Sequence, residues 1–273
     1  MSESRHAPRA NGHPRRVRRR RGPTVVGVLG EILITAGLLI LGYIGWQPLW
    51  SATVIASHQR DVAAQQSAQW RQSAQTPAPS PADAPPDYAA LSANPPVGAT
   101  PADYATFGIL YVPRFSSSYA VPIGQTTDLP RVLNDPDRGI GHYEDTQLPG
   151  QPGNFAVAAH RSGPIGGNPF RDMDALRVGD PIYVETQDGW YTYRFRSFEY
   201  VWPTQVDVLD PVPHLAGQPG TDRILTMTTC NPKWAGSAER MIGYAVYEGF
   251  RPLGDPPPEL VAVNPNVSAS VGT

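Results

Sequence analysis

Three groups of this chain could do chemistry together: the thiol of Cys230, the imidazole of His160 and the guanidinium of Arg240. Thiolate is the reactive form of cysteine, and a neighbouring imidazole both activates it and can protonate a leaving amine. A guanidinium can donate hydrogen bonds to an oxyanion or to a substrate backbone. These residue types predict nucleophilic catalysis by Cys230, with His160 as acid/base and Arg240 as electrostatic stabiliser, without naming the reaction.

The elements around Cys230 would bring it close to Arg240. Cys230 follows the strand-like run 224–229, and Pro232 ends that strand because proline cannot donate to the ladder. The loop 231–239 then leads into a second strand that begins at Arg240. If the two strands pair antiparallel, Cys230 and Arg240 face each other with β-carbons roughly 4.5–5.5 Å apart.

His160 comes from a distant part of the chain. It follows the apolar run 154–159, so we expect it directly after the end of a strand, where it can face a cleft. The other histidines of the folded region, His142 and His214, do not follow such a run. His160 is therefore the predicted base.

Each group also has an ordinary structural interpretation. A single cysteine is often a small buried hydrophobe, a lone histidine a hydrogen-bonded structural residue, and an arginine near a turn a solvated side chain. Cys230 is the only cysteine, so an intramolecular disulfide is excluded. One cysteine and scattered histidines offer no metal-ligand spacing, so neither a metal nor another cofactor is predicted.

The N-terminal region predicts a membrane anchor. Arginines crowd residues 15–21, and residues 24–46 are apolar apart from Glu31 and long enough to cross a bilayer. Because the positive flank stays in the cytoplasm, residues 1–23 are expected inside the cell and everything after the span outside. The basic run then faces lipid rather than nucleic acid. Cleavage as a signal peptide is an alternative, but the apolar stretch is too long for one.

Composition divides the rest of the chain. Residues 47–106 are expected to form an extracellular stalk and a Pro/Ala-rich linker, which cannot bury a core. Residues 107–254 carry short runs rich in Val, Ile, Tyr and Phe, which favour an all-β barrel or sandwich. Short helical insertions are expected at 128–133 and 170–176. Residues 255–273 are expected to form a disordered tail. The predicted strands are 107–112, 119–123, 139–143, 154–159, 181–186, 190–200, 224–229 and 241–250.

Two segments resemble a known family. The run 226–230, Thr-Met-Thr-Thr-Cys, resembles the Thr-Leu-x-Thr-Cys motif of sortases, and Arg240 follows where that family has its essential arginine. The segment 139–161, from Gly-Ile-Gly-His-Tyr to Ala-Ala-His-Arg, resembles the sortase segment that ends in the catalytic histidine, with Ala159 where glycine is common. The order His, Cys, Arg differs from that of papain-like and cell-wall amidase folds, in which Cys precedes His.

The resemblance implies a sortase-type eight-stranded β-barrel with short helical insertions, preceded by one transmembrane helix. Cys230 would cleave a C-terminal sorting signal resembling Leu-Ala-x-Thr-Gly or Leu-Pro-x-Thr-Gly between Thr and Gly through a thioacyl intermediate. An amine of a peptidoglycan precursor such as lipid II would then resolve that intermediate. His160 would serve as acid and then base, and Arg240 would hold the substrate and stabilise the oxyanion.

The same resemblance implies substrate contacts and partners. Thr228, Thr229 and His142 are expected to line the substrate groove. The partners are surface proteins that carry the signal, the peptidoglycan amine, and the lipid bilayer through residues 24–46, without nucleic acid. The arginine-rich composition and Pro/Ala spacer resemble class E sortases of high-GC actinobacteria.

Two other functions stay open on the residues alone. A membrane-tethered thiol protease would use the same groups with water in place of the amine, and would cleave without ligation. A non-catalytic surface binding module predicts that Cys230→Ala leaves function intact.

Overall fold

The computed structural model describes residues 24–74, 86–163, 167–234 and 237–271, without the side chains of 47–52 and 270–271. The predicted basic tail, 1–23, and the Pro-rich stretch 75–85 lie outside the described residues. The chain divides into two compact units, residues 1–45 and 46–273.

The N-terminal helix α1 spans Val25–Ala74. Its first 22 residues, Val25–Trp46, have a mean hydropathy of 2.3 and are long and apolar enough to cross a membrane.

Eight strands form a closed barrel in the order β1-β2-β3-β4-β7-β8-β6-β5. The pairs β2/β3 and β4/β7 are parallel, and the other neighbours are antiparallel. Every predicted strand overlaps one of these strands, so the all-β barrel is confirmed. The strands are β1 Thr106–Tyr111, β2 Val121–Gln125, β3 Ile140–His142, β4 Gly153–Ala159, β5 Pro181–Thr186, β6 Gly189–Val201, β7 Arg223–Asn231 and β8 Glu239–Pro252. Short helical turns at Leu129–Leu133 and Met173–Ala175 lie within the two predicted insertions.

Strand alternation fills the barrel with apolar side chains. Along β7, Leu225 and Met227 are fully buried in the core, where they join Phe155 and Val157 of β4. Because successive side chains of a strand point to opposite faces, the residues between them lie on the outer face of the barrel.

The second part of α1 packs on the barrel, which differs from the stalk expected for this segment. Ala63 is fully buried in a cluster with Ile109 and Tyr111 of β1. The Ser67 hydroxyl donates a hydrogen bond of 2.5 Å to the carboxylate of Glu185 on β5. The packed face combines Trp70 with small and polar residues such as Ala63 and Ser67, so no continuous apolar stripe marks it in the sequence.

The second half of the predicted linker also lies against the barrel. Helix α2 spans Tyr88–Ala93. The Ser92 hydroxyl accepts from the Phe250 N–H at 3.0 Å, and the Pro96 carbonyl accepts from the Tyr191 hydroxyl at 2.8 Å. These contacts fix residues that composition alone assigns to a flexible spacer.

The prediction of a disordered tail is wrong for the described residues of the C-terminus. Helices α3, Pro258–Val263, and α4, Pro265–Val271, follow the barrel. Leu260 and Val267 are buried in the cluster that contains Ala63. Two apolar side chains therefore anchor a segment whose Pro, Val and Ser content is typical of disorder.

Candidate active site

The register of β7 and β8 sets Cys230 opposite Arg240, as predicted from the loop between them. Cys230 is a free, half-buried cysteine. It shares its face of β7 with Thr226 and Thr228, which is the outer face because Leu225 lies in the core. The thiol and the guanidinium therefore occupy neighbouring positions on the outside of the barrel.

The neighbouring strand β4 brings His160 to the same end of the barrel. β4 runs parallel to β7 with Ala158 beside Thr228, and it ends at Ala159. Followed for two more residues on each strand, the same register leads from Ala158 to His160 and from Thr228 to Cys230, so both residues lie at the same end of the barrel. The structure thus brings the three predicted catalytic residues to one end of β4, β7 and β8.

The His160 ring is held by Asn134. Its Nε2 lies 2.8 Å from the Asn134 Oδ1, at the end of the helical turn Leu129–Leu133. With that oxygen as acceptor, Nε2 carries the proton and Nδ1 is the nitrogen that can accept one. Burial lowers the pKa of His160, which favours the neutral imidazole that a base requires. Sequence reasoning missed Asn134, whose only signal is that it follows the predicted turn.

The Arg240 guanidinium is oriented by backbone carbonyls. Its NH1 donates to Ser237 O at 3.0 Å and to Glu239 O at 3.1 Å. Within the described part of the chain, its remaining N–H groups have no protein acceptor. They are donors that a developing oxyanion can use.

The two threonines before Cys230 are buried and bonded within the protein. The Thr229 hydroxyl donates to Ala159 O at 2.7 Å, and the Thr228 hydroxyl lies 2.9 Å from that of Tyr143. Both residues are almost fully shielded from solvent. In this structure they tie β7 to β4 and to the segment after β3, whereas the sequence predicts that they line a groove.

His142 is likewise internal, at 1% exposure. Its Nδ1 lies 2.9 Å from Gln125 Oε1 and its Nε2 lies 3.0 Å from Gln147 O. Burial lowers the pKa of His142 to about 4. The predicted substrate contact is not supported by this position, because the ring packs between Phe107 and Phe155 instead of facing solvent.

Sequence reasoning also missed Arg161, although it directly follows His160. Only 4% of Arg161 is exposed. Its NH1 donates to the Asn231 Oδ1 at 2.6 Å and lies 3.4 Å from the Cys230 carbonyl oxygen. A buried guanidinium therefore contacts the backbone at the thiol.

The loop 202–222 covers the outer face beside these strands. The Asn154 amide of β4 donates to Val208 O at 3.0 Å and to Asp210 O at 3.1 Å, which anchors the loop. A cavity of about 710 Å³ opens beside the loop and is lined by Tyr143 and Val206 among others. The Tyr143 hydroxyl lies 2.9 Å from that of Thr228, two residues before Cys230, whereas Cys230, His160 and Arg240 do not line the cavity.

Comparison with known proteins identifies one family. A family model of the sortase domain matches residues 110–248. Sortase SrtE1 of Streptomyces coelicolor is 34% identical over 263 residues, which cover 92% of this chain and 66% of the relative, just under two thirds of its length. Sortase SrtE2 of the same organism is 31% identical, over 91% of this chain and 93% of the relative.

Solved structures agree with the sequence matches. The SrtA sortase from Actinomyces oris is 37% identical with a TM-score of 0.56, over 61% of this chain and 93% of that one. Sortase E1 from Streptomyces coelicolor, solved with a tripeptide in its active site, is 36% identical with a TM-score of 0.50, over 59% of this chain and 99% of that one. His160, Cys230 and Arg240 all lie within the range that the family model matches.

Proposed function

Because the chain belongs to the sortase family of cysteine transpeptidases, we propose that it cuts a sorting signal resembling Leu-Ala-x-Thr-Gly or Leu-Pro-x-Thr-Gly between Thr and Gly. It then transfers the new C-terminus to an amine of a peptidoglycan precursor such as lipid II. One observation carries this proposal. At the same end of three neighbouring strands, β4 leads into His160, β7 carries Cys230 and β8 carries Arg240.

The first half of the reaction forms a thioester. The proton of the Cys230 thiol passes to His160 as the sulfur attacks the Thr carbonyl carbon, and N–H groups of Arg240 stabilise the oxyanion that develops. The C–N bond then breaks, and His160 in its protonated form donates its proton to the leaving Gly amine. The products are the thioacyl enzyme, a released C-terminal peptide and neutral His160.

The second half consumes the amine. The acceptor nitrogen attacks the thioester carbonyl and gives its proton to neutral His160 while the C–S bond breaks. The ring is neutral at this point because it has given its proton to the leaving Gly amine, and its lowered pKa keeps it neutral until the acceptor amine attacks. The proton then returns from His160 to the Cys230 sulfur, which restores the resting pair for the next signal.

A peptide substrate is supported by a solved relative, and a cavity of suitable size lies near the same strands. The cavity next to the loop 202–222 has a volume of about 710 Å³, which falls within the usual range of ligand pockets. Its lining combines apolar Val206 and Leu209 with Tyr143 and five acidic residues, and it contains none of the three proposed catalytic residues. The tripeptide in the active site of the Streptomyces coelicolor sortase E1 structure agrees with this substrate class.

We further propose that residues 24–46 anchor the protein in the cell membrane with residues 1–23 in the cytoplasm and the catalytic domain, 107–254, outside. The apolar first part of α1 supports the anchor, and the arginines before it support the orientation. This placement brings the thiol to surface proteins and lipid-linked precursors as they leave the membrane.

The test uses the full chain in detergent micelles with each signal peptide and an amine, and follows products by mass spectrometry. We expect a ligated peptide and a thioacyl adduct on Cys230, both absent from Cys230→Ala and strongly reduced in His160→Ala. Cleavage without ligation would show a thiol protease instead. Unchanged peptides with wild-type protein would contradict the proposed motif, and equal behaviour of wild type and Cys230→Ala would contradict catalysis by this thiol.

A further inference from the structure

Three side chains form a continuous hydrogen-bonded row at the active-site end of the barrel. Arg161 NH1 donates to Asn231 Oδ1 at 2.6 Å. The Asn231 Nδ2 donates in turn to Glu239 Oε2 at 2.9 Å. We call Arg161, Asn231 and Glu239 the positioning row.

The members of the positioning row are the immediate chain neighbours of the three proposed catalytic residues. One follows His160, one follows Cys230 and one precedes Arg240. Since a side chain is one backbone unit away from its neighbour, any shift between members of the row shifts the catalytic groups by a similar amount. The row thus joins β4, β7 and β8 through side chains, at the last pair of the β7/β8 ladder and three residues beyond the last pair of the β4/β7 ladder.

The burial of Arg161 shows that this arrangement is held against a cost. A buried cation destabilises the fold unless its donors are satisfied. Arg161 has a carboxylate at 3.5 Å, Asp174, whose side chain is 48% exposed, and its buried Nε has no partner among the residues that the structure describes. The short bond to Asn231 and the contact with the Cys230 carbonyl are therefore its main fixed interactions within the protein.

We propose that the positioning row fixes the mutual placement of His160, Cys230 and Arg240, and that its members act through these residues without touching the substrate. This inference rests on the proposed function for the roles of the three. A displacement of about 1 Å between reacting groups costs orders of magnitude in rate, so the row contributes chiefly to kcat.

The pair Asn231 and Glu239 permits a test by exchange of donor and acceptor. Asn231→Asp keeps an oxygen for Arg161 but sets a second carboxylate against Glu239, which breaks that link. Adding Glu239→Gln restores it in reverse, because the new amide donates to the new carboxylate, and the net charge of the pair equals that of wild type. Glu239→Gln alone keeps an acceptor for the Asn231 amide.

We expect Asn231→Asp to lower kcat/KM for peptide ligation about tenfold, mainly through kcat. The double variant should recover to within about threefold of wild type, as should Glu239→Gln alone. The surface control is Arg196→Met, at an exposed position of β6, because it lowers the net charge by one, as Asn231→Asp does. Hydrogen exchange of the fragments 228–231 and 238–241, measured by mass spectrometry, should speed up in Asn231→Asp and return to the wild-type rate in the double variant.

The possible outcomes distinguish a failure of the positioning row from a failure of the proposed function. If wild type ligates and Asn231→Asp matches Arg196→Met in both turnover and exchange, the positioning row is overturned and the transpeptidase stands. If wild type shows no Cys230-dependent chemistry, the proposed function falls and the exchange rates alone decide: faster exchange that the second substitution reverses supports the row, and unchanged exchange overturns it. A double variant no better than Asn231→Asp would also contradict the row.

Discussion

Two buried charges lie in different parts of this protein, and their surroundings differ. Under α1, both carboxylate oxygens of Glu185 accept from hydroxyls, Ser67 at 2.5 Å and Tyr111 at 2.6 Å, with Arg71 NH1 at 3.7 Å. At the active-site end, Arg161 is buried, and its Nε has no partner in the described part of the chain. One charge is fully satisfied and the other is not.

This difference in hydrogen bonding indicates that the two buried groups have different roles. A satisfied polar group between a helix and a barrel specifies how the two elements pack and rigidifies them. An incompletely satisfied cation beside a half-buried thiol contributes less to stability, and its retention is explained by the positions it enforces. Substitutions on the α1 side should therefore change the free energy of unfolding, and substitutions at the site should change turnover.

The largest effect is expected for Arg240→Lys, on the active-site side. Lysine keeps the charge but loses the planar fork of donors, so kcat/KM should fall about 10²- to 10³-fold, as when an oxyanion donor is removed. Peptide ligation measured by mass spectrometry checks the rate, and the apparent melting temperature should stay within about 2 °C of wild type.

Arg196→Lys at an exposed position of β6 is the control, with expected wild-type turnover. Near-normal ligation by Arg240→Lys would remove the role proposed for the guanidinium. A large fall in melting temperature would show that Arg240 contributes to the stability of the fold, as Glu185 is expected to do.

The second effect is expected under α1, where Glu185→Ala should destabilise the fold by about 3 kcal/mol because it leaves buried hydroxyls unpaired. Turnover per folded molecule should change less than twofold. Chemical or thermal unfolding of the full chain in micelles, beside ligation assays, separates the two quantities.

Burial also raises the pKa of Glu185, which gives this side of the molecule a pH dependence. The folded state then binds the proton more tightly than the unfolded state. The contribution of this group is complete below the unfolded pKa of about 4.3 and is lost as pH rises through the folded pKa. Glu185→Gln should remove that slope from the melting temperature, and an unchanged slope would show that another group causes it.

The sequence predicts the active-site side better than the α1 side, for physical reasons. The strands are short and rich in β-branched and aromatic residues, and Pro232 ends β7, so the pairing of Cys230 with Arg240 follows from local signals. On the α1 side, packing depends on Trp70 together with small or hydroxyl side chains such as Ala63 and Ser67, which produce no continuous apolar stripe. Leu260 and Val267 are too few to distinguish an anchored tail from a disordered one.

The supporting residues of the site were missed for a different reason. Asn134 meets His160 across 26 residues of sequence, and Arg161 meets Asn231 across 70. Neither contact follows from a motif or a periodicity, because both depend on how distant loops pack once the barrel has closed. Strand ends are predictable from sequence, and the hydrogen bonds between them are not.

A third, smaller effect is expected for Asn134→Ala, which removes the acceptor that orients the His160 ring. We expect kcat/KM to fall about tenfold with little change in stability. Asn134→Asp should preserve the orientation and raise the pKa of His160, since a carboxylate favours the protonated ring. The acid limb of the pH–rate profile should then move to higher pH. An unmoved limb in that variant would show that Asn134 does not control the protonation of His160.

The smallest effect tests whether exposure rather than location decides the strength of a charged contact. On the loop 202–222, His214 Nδ1 lies 2.8 Å from Asp207 and Nε2 lies 2.9 Å from Glu199 of β6, with the side chain of His214 39% exposed. Hydrogen bonds to these carboxylates raise the pKa of His214, so its contribution is complete below the unfolded pKa of about 6.5 and is lost as pH rises through the folded value.

His214→Asn is the suitable variant because His214 has φ of 65°, a conformation that asparagine tolerates. Exposed ion pairs are weak, so we expect a loss below about 1 kcal/mol. The difference in melting temperature from wild type should be largest near pH 6, shrink as pH rises, and shrink again in about 1 M salt, which screens exposed charges. The Glu185→Ala difference should persist in that salt because its partners are buried. If the His214 difference also survived high salt, exposure would not be what separates the two sides of the molecule, and the loop would have to be held as firmly as α1.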